Sequence, residues 1–149
     1  MLKENNYELL FYLHPEAQRF REYFTTENLK VKIISRENVI LQELLKESEI
    51  LITDYSSIAF DFAYMRKKVL YYQFDSEDYY KKHYSKSYFD YEKHGFGEVH
   101  TKEENLIRDL KNLLKEKQLE KKYLKRIEEF FPLYDTNNSK RIFQYIRGL

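Results

Sequence analysis

EILITDYSSIAFDFAYMRKKVLYYQF, residues 49–74, reads as strand, turn, helix and strand. EILITD and KVLYYQF are short β-rich apolar runs, and near-continuous apolar runs of that length suit strands covered on both faces. Between them SSIAFDFAYMRK is long enough for a crossover helix, so the segment is one parallel βαβ unit.

Working outward, the same alternation repeats. YELLFYLH at 7–14 and LKVKIIS at 29–35 are further strand runs. EAQRFREYF follows a proline suited to a first helical turn, and VILQELLKES precedes the strand at 49. Residues 75–100 break the pattern, with nine aromatics between Tyr71 and Tyr91 and the first two glycines, Gly95 and Gly97. This stretch reads as an irregular insert whose tyrosines cover the sheet edge. GEVHT then supplies one more short strand, and EENLIRDLKNLLKEK places Leu106, Leu110, Leu113 and Leu114 on one helical face. LEKKYLKRIEEFF and, beyond Pro132, NSKRIFQYIRGL are two further helices. The fold class is α/β: a Rossmann-like open parallel sheet with flanking helices, forming one domain over residues 1–149.

Lys+Arg 26 against Asp+Glu 25 gives a net charge of +1, which offers no argument for nucleic acid. Residues 101–149 hold 12 basic and 8 acidic side chains, so positive charge is biased toward the C-terminal end, where an anionic ligand or a solvated helical face accounts for it. Zero cysteines exclude disulfides and thiolate metal sites and fit a cytoplasmic setting. No apolar run approaches the roughly 20 residues that span a bilayer, so membrane contact is expected to be peripheral. Only three glycines are present, none in a strand-to-helix turn, which argues against dinucleotide cofactors and P-loop chemistry. His14, His83, His94 and His100 lack metal-ligand spacing, so no metal or cofactor is expected.

Three places can carry chemistry. His14 ends the first strand directly before Pro15, at the sheet edge where ligands collect. Its imidazole can donate to a phosphate oxygen or act as a general acid, unless it merely has a local partner. In ITDYSSIAFDF, Asp54 ends a strand, Tyr55, Ser56 and Ser57 make the turn, and a helix begins. Two hydroxyls and several unpaired backbone N–H groups are expected to converge there as an anion site; one serine, not two, is explained by simple capping. Asp61, one turn on, is either a ligand contact or a solvated helix position. In DTNNSKR, Asp135, Asn137, Asn138 and Ser139 precede a helix with Lys140 and Arg141 in its first turn. Cations there oppose the helix dipole, and a bound anion would offset the cost; an Asn cap followed by exposed basic residues accounts for the segment equally well.

FYLHPE, LITDYSSIAFDFAYMRKKVLYYQFD, YFDYEKHGFGEV and DTNNSKRI, in this order, resemble the C-terminal half of the CDP-glycerol glycerophosphotransferase family. That resemblance implies the donor-binding half of a two-domain, glycosyltransferase-B-like enzyme of teichoic-acid or capsule synthesis. The donor is CDP-glycerol or a related CDP-polyol, and the acceptor is a polymer or lipid-linked primer engaged by a second domain. The full enzyme is expected at the inner face of the bacterial plasma membrane. By position, the resemblance implies that His14 contacts the donor phosphates and is the catalytic candidate, that Ser56 and Ser57 cradle the diphosphate, and that Asn138, Ser139 and Arg141 close over it. Asp54, Tyr55, Asp61 and Asp135 are further donor contacts. The sequence departs from the family pattern at Lys68, at Ser85 and Lys86, and at Phe96, where a proline, an Arg-Gly pair and a proline are frequent. The family's Trp-His-Gly type motif, with its presumed general base, has no counterpart, since the chain contains no tryptophan.

Two other readings remain open. A receiver-like domain would place Asp54 at the end of a third strand, but the position after the first strand reads His14-Pro15-Glu16 where magnesium-binding acids are needed. A non-catalytic nucleotide-binding module is the other.

Overall fold

The structure, a computed structural model, describes residues 1–37, 39–82 and 88–149. Five parallel strands form in the expected places: β1 (Leu9–Tyr12), β2 (Val31–Ile34), β3 (Ile50–Thr53), β4 (Lys68–Tyr72) and β5 (Gly97–His100). They make two hydrogen-bonded ladders, β1 with β2 and β3-β4-β5, where the sequence suggested one sheet. Among the described residues the seam at the amino ends is bridged by a side chain instead, the Tyr7 hydroxyl donating to Glu49 Oε2 at 2.6 Å. Leu9 pairs with Val31, Leu51 with Val69 and Tyr71 with Val99.

The three-stranded ladder lies between two apolar layers, which is why β3 and β4 show no polar alternation. On one face α2 (Ile58–Tyr64) and α6 (Lys121–Phe130) bury Ala59, Phe62, Ala63 and Ile127 against Val69 and Tyr71. On the other, α5 (Glu103–Leu113) buries Leu106 and Leu110, and beyond it Leu114, against Leu70, confirming three of the four leucines of the expected stripe as core; Leu113 is half-buried beside them. Gly97 is required by close approach: a Cβ there would sit 1.7 Å from the Val69 carbonyl oxygen of the neighbouring strand.

The residues after β1 form a 3-10 helix, Pro15–Tyr23, with a break at Phe20, and bury no side chain. Lacking an apolar face to dock, this segment has no packing energy to enforce a regular α-helix. The stretch read as an irregular insert contains two short helices, α3 (Ser76–Lys82) and α4 (Tyr91–His94). Ser85 and Lys86 lie outside the described residues.

Consecutive lysines after α2 serve opposite sides of the ladder. Lys67 Nζ donates to the carbonyls of Leu45, Lys46 and Ser48, closing the end of α1 (Leu41–Glu47). Lys68 Nζ donates to Leu113 O, Glu116 O and Glu49 Oε1, closing the end of α5. Each ammonium satisfies carbonyls that a helix end leaves without partners, which explains a lysine at position 68. Phe96 is fully buried and its N–H donates to the Tyr71 hydroxyl at 3.4 Å, a bond that a proline could not make. The final helix, α7 (Asn138–Arg147), buries no residue.

Candidate functional site

The carboxyl edge of a parallel sheet is where ligands meet converging turns, and His14 and the serine turn lie there. His14 is exposed at the end of β1, and its Nδ1 accepts from the Glu16 N–H at 3.2 Å. An accepting Nδ1 places the proton of a neutral ring on Nε2 and leaves that N–H free to donate outward. Beside it, Pro15, Gln18, Arg36 and Glu37 line a shallow depression of about 390 Å³. Arg36, which the sequence reading did not single out, directly follows Ser35 at the end of β2; that position was its only signal.

The serine turn differs from expectation in an instructive way. Two of its N–H groups are already taken: Asp54 Oδ1 accepts from Tyr55 N at 2.6 Å and Ser56 N at 3.2 Å. Asp54 therefore shapes the turn as a local Asx bridge. Ser56 Oγ accepts from Ile58 N at 3.4 Å and keeps its own O–H for another partner. Ser57 is exposed, and neither its hydroxyl nor its N–H is bonded among the described residues. Two hydroxyls and one N–H are thus available. Because α2 has only seven residues, these discrete donors matter more than any helix dipole.

Tyr55 is a framework residue. Its ring stacks on Tyr79 with centroids 3.6 Å apart, and its hydroxyl donates to Asp75 Oδ1 at 3.1 Å. Burial, then the Asp75 carboxylate, hold its phenol above the ordinary range, so it stays a neutral donor. Two supports were missed: Gln73, 4% exposed directly after β4, donates from Nε2 to Asp54 O at 3.2 Å, and the half-buried Tyr91 donates from its hydroxyl to Tyr55 O at 3.0 Å. A polar residue closing an apolar strand run was the available signal for Gln73. Asp61 is exposed on α2 with no side-chain partner among the described residues.

The basic turn has its own anion. α7 begins at Asn138, so Asn138 and Ser139 are inside its first turn rather than ahead of it, and Asn137 makes no side-chain cap. Arg141 forks onto Asp135, NH1 to Oδ1 at 2.9 Å and NH2 to Oδ2 at 2.5 Å, while NH1 also reaches Asn138 Oδ1 at 2.8 Å. The Arg141 guanidinium holds the Asp135 carboxyl down at about 2. Asp135 thus offsets the cations at this helix start, and the outer edge of Arg141 remains for a ligand. Among the described residues no hydrogen bond joins this turn to the serine turn or to His14. Among the other histidines, His94 Nδ1 accepts from Asp90 N at 2.9 Å, His100 Nε2 lies 3.4 Å from Asp109, and His83 is outside the described residues.

Parallel strands flanked by helices, with hydroxyl and amide donors at a carboxyl-edge turn, place the protein in the Rossmann-like α/β class. Residues 1–148 match the family described as CDP-Glycerol:Poly(glycerophosphate) glycerophosphotransferase. The chain belongs to this family, which removes the receiver reading. It is 37% identical over 148 residues to the minor teichoic acid biosynthesis protein GgaB of Bacillus subtilis, covering 99% of this chain and 16% of that protein. It is 28% identical over 145 residues to a teichoic acid poly(glycerol phosphate) polymerase of Staphylococcus epidermidis, covering 97% of this chain and 19% of that one. A solved structure of the wall teichoic acid polymerase TagF superposes with a TM-score of 0.70 at 26% identity, over 95% of this chain and 34% of that chain. Another, soaked with CDPG, gives 0.69 at 27% identity over 95% and 35%. The chain therefore spans about a third of those solved chains and less of these two relatives.

Proposed function

We propose that this chain binds the CDP-activated donor, CDP-glycerol or a close CDP-polyol, for transfer of glycerol phosphate to a teichoic-acid polymer. The observation that carries the reading is the serine turn, where among the described residues the Ser56 and Ser57 hydroxyls and the Ser57 N–H stand without acceptors at the carboxyl edge of β3. A diphosphate supplies the acceptors these donors lack. His14 presents Nε2–H as a donor to the same phosphates, and Arg141, with Asn138 and Ser139 in the same helical turn, offers its outer edge to them.

In the reaction the acceptor hydroxyl attacks the donor β-phosphorus. The bond from that phosphorus to the bridging oxygen breaks, CMP leaves, and the acceptor's proton passes to a base. Charge grows on the phosphate oxygens during this step, where fixed N–H and O–H donors lower the barrier. On this reading the acceptor and its base belong to a second domain. No helix among the described residues is long and apolar enough to cross a membrane, and on this reading contact with a bilayer bearing the acceptor is peripheral.

Calorimetric titration with CDP-glycerol tests the reading. Ser56→Ala combined with Ser57→Ala should weaken binding by about 1–3 kcal/mol, the worth of lost hydrogen bonds to a charged group, with little change in thermal stability. Unaltered affinity would reduce the serines to turn formers.

A further inference from the structure

We propose that Gln73 and Tyr91 are positioning residues for the donor diphosphate: they pin two consecutive carbonyls of the serine turn and thereby aim its free donors. This rests on the donor-binding reading of Ser56 and Ser57.

The pins come from separate elements. Gln73 directly follows β4; its N–H donates to His100 O at 2.7 Å, fixing it to β5, while its side-chain amide holds Asp54 O at 3.2 Å. Tyr91 opens α4 and holds Tyr55 O at 3.0 Å. Its ring is wedged edge-on against Tyr71 and Phe89, at centroid distances of 5.1 and 5.2 Å. α4 is itself fastened to α6 by Arg126, which donates to Gly95 O at 2.8 Å and Glu92 O at 3.0 Å.

A trans peptide is planar, with C=O and the following N–H pointing opposite ways. Pinning Asp54 O and Tyr55 O inward therefore turns the N–H groups of Tyr55 and Ser56 outward. There both converge on Asp54 Oδ1, which locks the turn and leaves Ser57 N–H as the next donor in line. Packing of Ala59, Phe62 and Ala63 already secures α2, so the two pins act on the peptides just ahead of it. Their effect falls on the direction of the serine hydroxyls rather than on whether the helix forms. Tyr91 stays a neutral donor at ordinary pH because burial raises its phenol.

The test is a double-mutant cycle on the 149-residue chain, with CDP-glycerol dissociation constants from calorimetry. Tyr91→Phe removes one hydroxyl and keeps the ring; Gln73→Met removes the amide and keeps an unbranched chain. Each should raise Kd about three- to tenfold, the effect of one misdirected hydrogen bond. In the Ser56→Ala, Ser57→Ala background the same changes should alter Kd by less than about twofold, since the two hydroxyls are gone and only the N–H at position 57 remains to aim. Equal losses in both backgrounds would show general loosening and overturn the proposal. Wild-type Kd for both single variants, beside a weakened serine variant, would overturn it while leaving the donor reading intact. A serine variant that binds like wild type would defeat the donor reading and this proposal with it. Should Gln73→Met fail to fold, Tyr91→Phe decides alone.

Discussion

Replacing Lys68 by methionine keeps length and apolar stem but removes the ammonium, and the structure allows its cost to be worked out. Lys68 is 5% exposed, and its Nζ serves Leu113 O at 3.1 Å, Glu116 O, and Glu49 Oε1 at 3.0 Å. Charged hydrogen bonds contribute about 1.5–3 kcal/mol each. Water can replace the ammonium at half-exposed Glu49, and Tyr7 still donates to that carboxylate. Two helix-end carbonyls then carry most of the loss, about 3 kcal/mol in total. For a chain near this size that is a fall in Tm of about 6–12 °C. Thermal and urea unfolding followed by circular dichroism would measure it, with an unchanged m-value showing that compactness is preserved. Position 68 begins β4, at the end of the ladder opposite the serine turn, so CDP-glycerol affinity should not change. A loss below about 1 kcal/mol would refute the argument that Lys68 closes α5, and a parallel loss of donor affinity would refute the separation of site from scaffold.

The remaining expectations concern the sheet edge and the basic turn. Gly97→Ala would drive a Cβ to 1.7 Å from Val69 O and should cost at least about 3 kcal/mol by breaking the β4–β5 pairing; unfolding that matches wild type would contradict the register. Arg141→Lys keeps the charge but not the planar fork, so donor affinity should drop several-fold in calorimetry, and equal affinity would reduce the segment to a diffuse positive field. Asp135 has a folded-state value depressed from 3.8 to about 2. Its stabilising contribution is therefore complete above about pH 4 and disappears as pH falls toward 2. Amide shifts of α7 should follow that window, and Asp135→Asn should abolish the response; a transition persisting in that variant would assign it elsewhere.

The five strands were legible because each is an apolar, β-rich run; apolar layers cover both faces of the β3-β4-β5 ladder, whereas β1 and β2 bury no residue and leave Leu9 and Phe11 exposed. The leucine stripe of α5 was legible for the same reason. α3 and α4 were not, because SEDYYKK and YEKH have no apolar period, and ring stacking on Tyr55 and Tyr71 holds that region in place of a buried helix face. The break between the two ladders left no mark in composition, since Tyr7 and Glu49 bridge it with ordinary polar side chains. At the candidate site, the serine hydroxyls could be read from TDYSS. The capture of two N–H groups by Asp54 and of Arg141 by Asp135 is side-chain geometry, and an acid near a turn is equally compatible with ligand contact. Gln73 and Tyr91 act from 19 and 36 residues away from the carbonyls they hold, beyond the reach of local pattern.

The central claim is that the free donors of the serine turn receive the donor diphosphate, and amide NMR of the nitrogen-15-labelled chain titrated with CDP-glycerol tests it most directly. The Ser57 amide, unpaired among the described residues, should show the largest saturable shift. The Tyr55 and Ser56 amides, already bonded to Asp54, should move much less. Saturable shifts confined to other regions, or none at concentrations where the donor binds, would contradict the assignment of this turn as the diphosphate site.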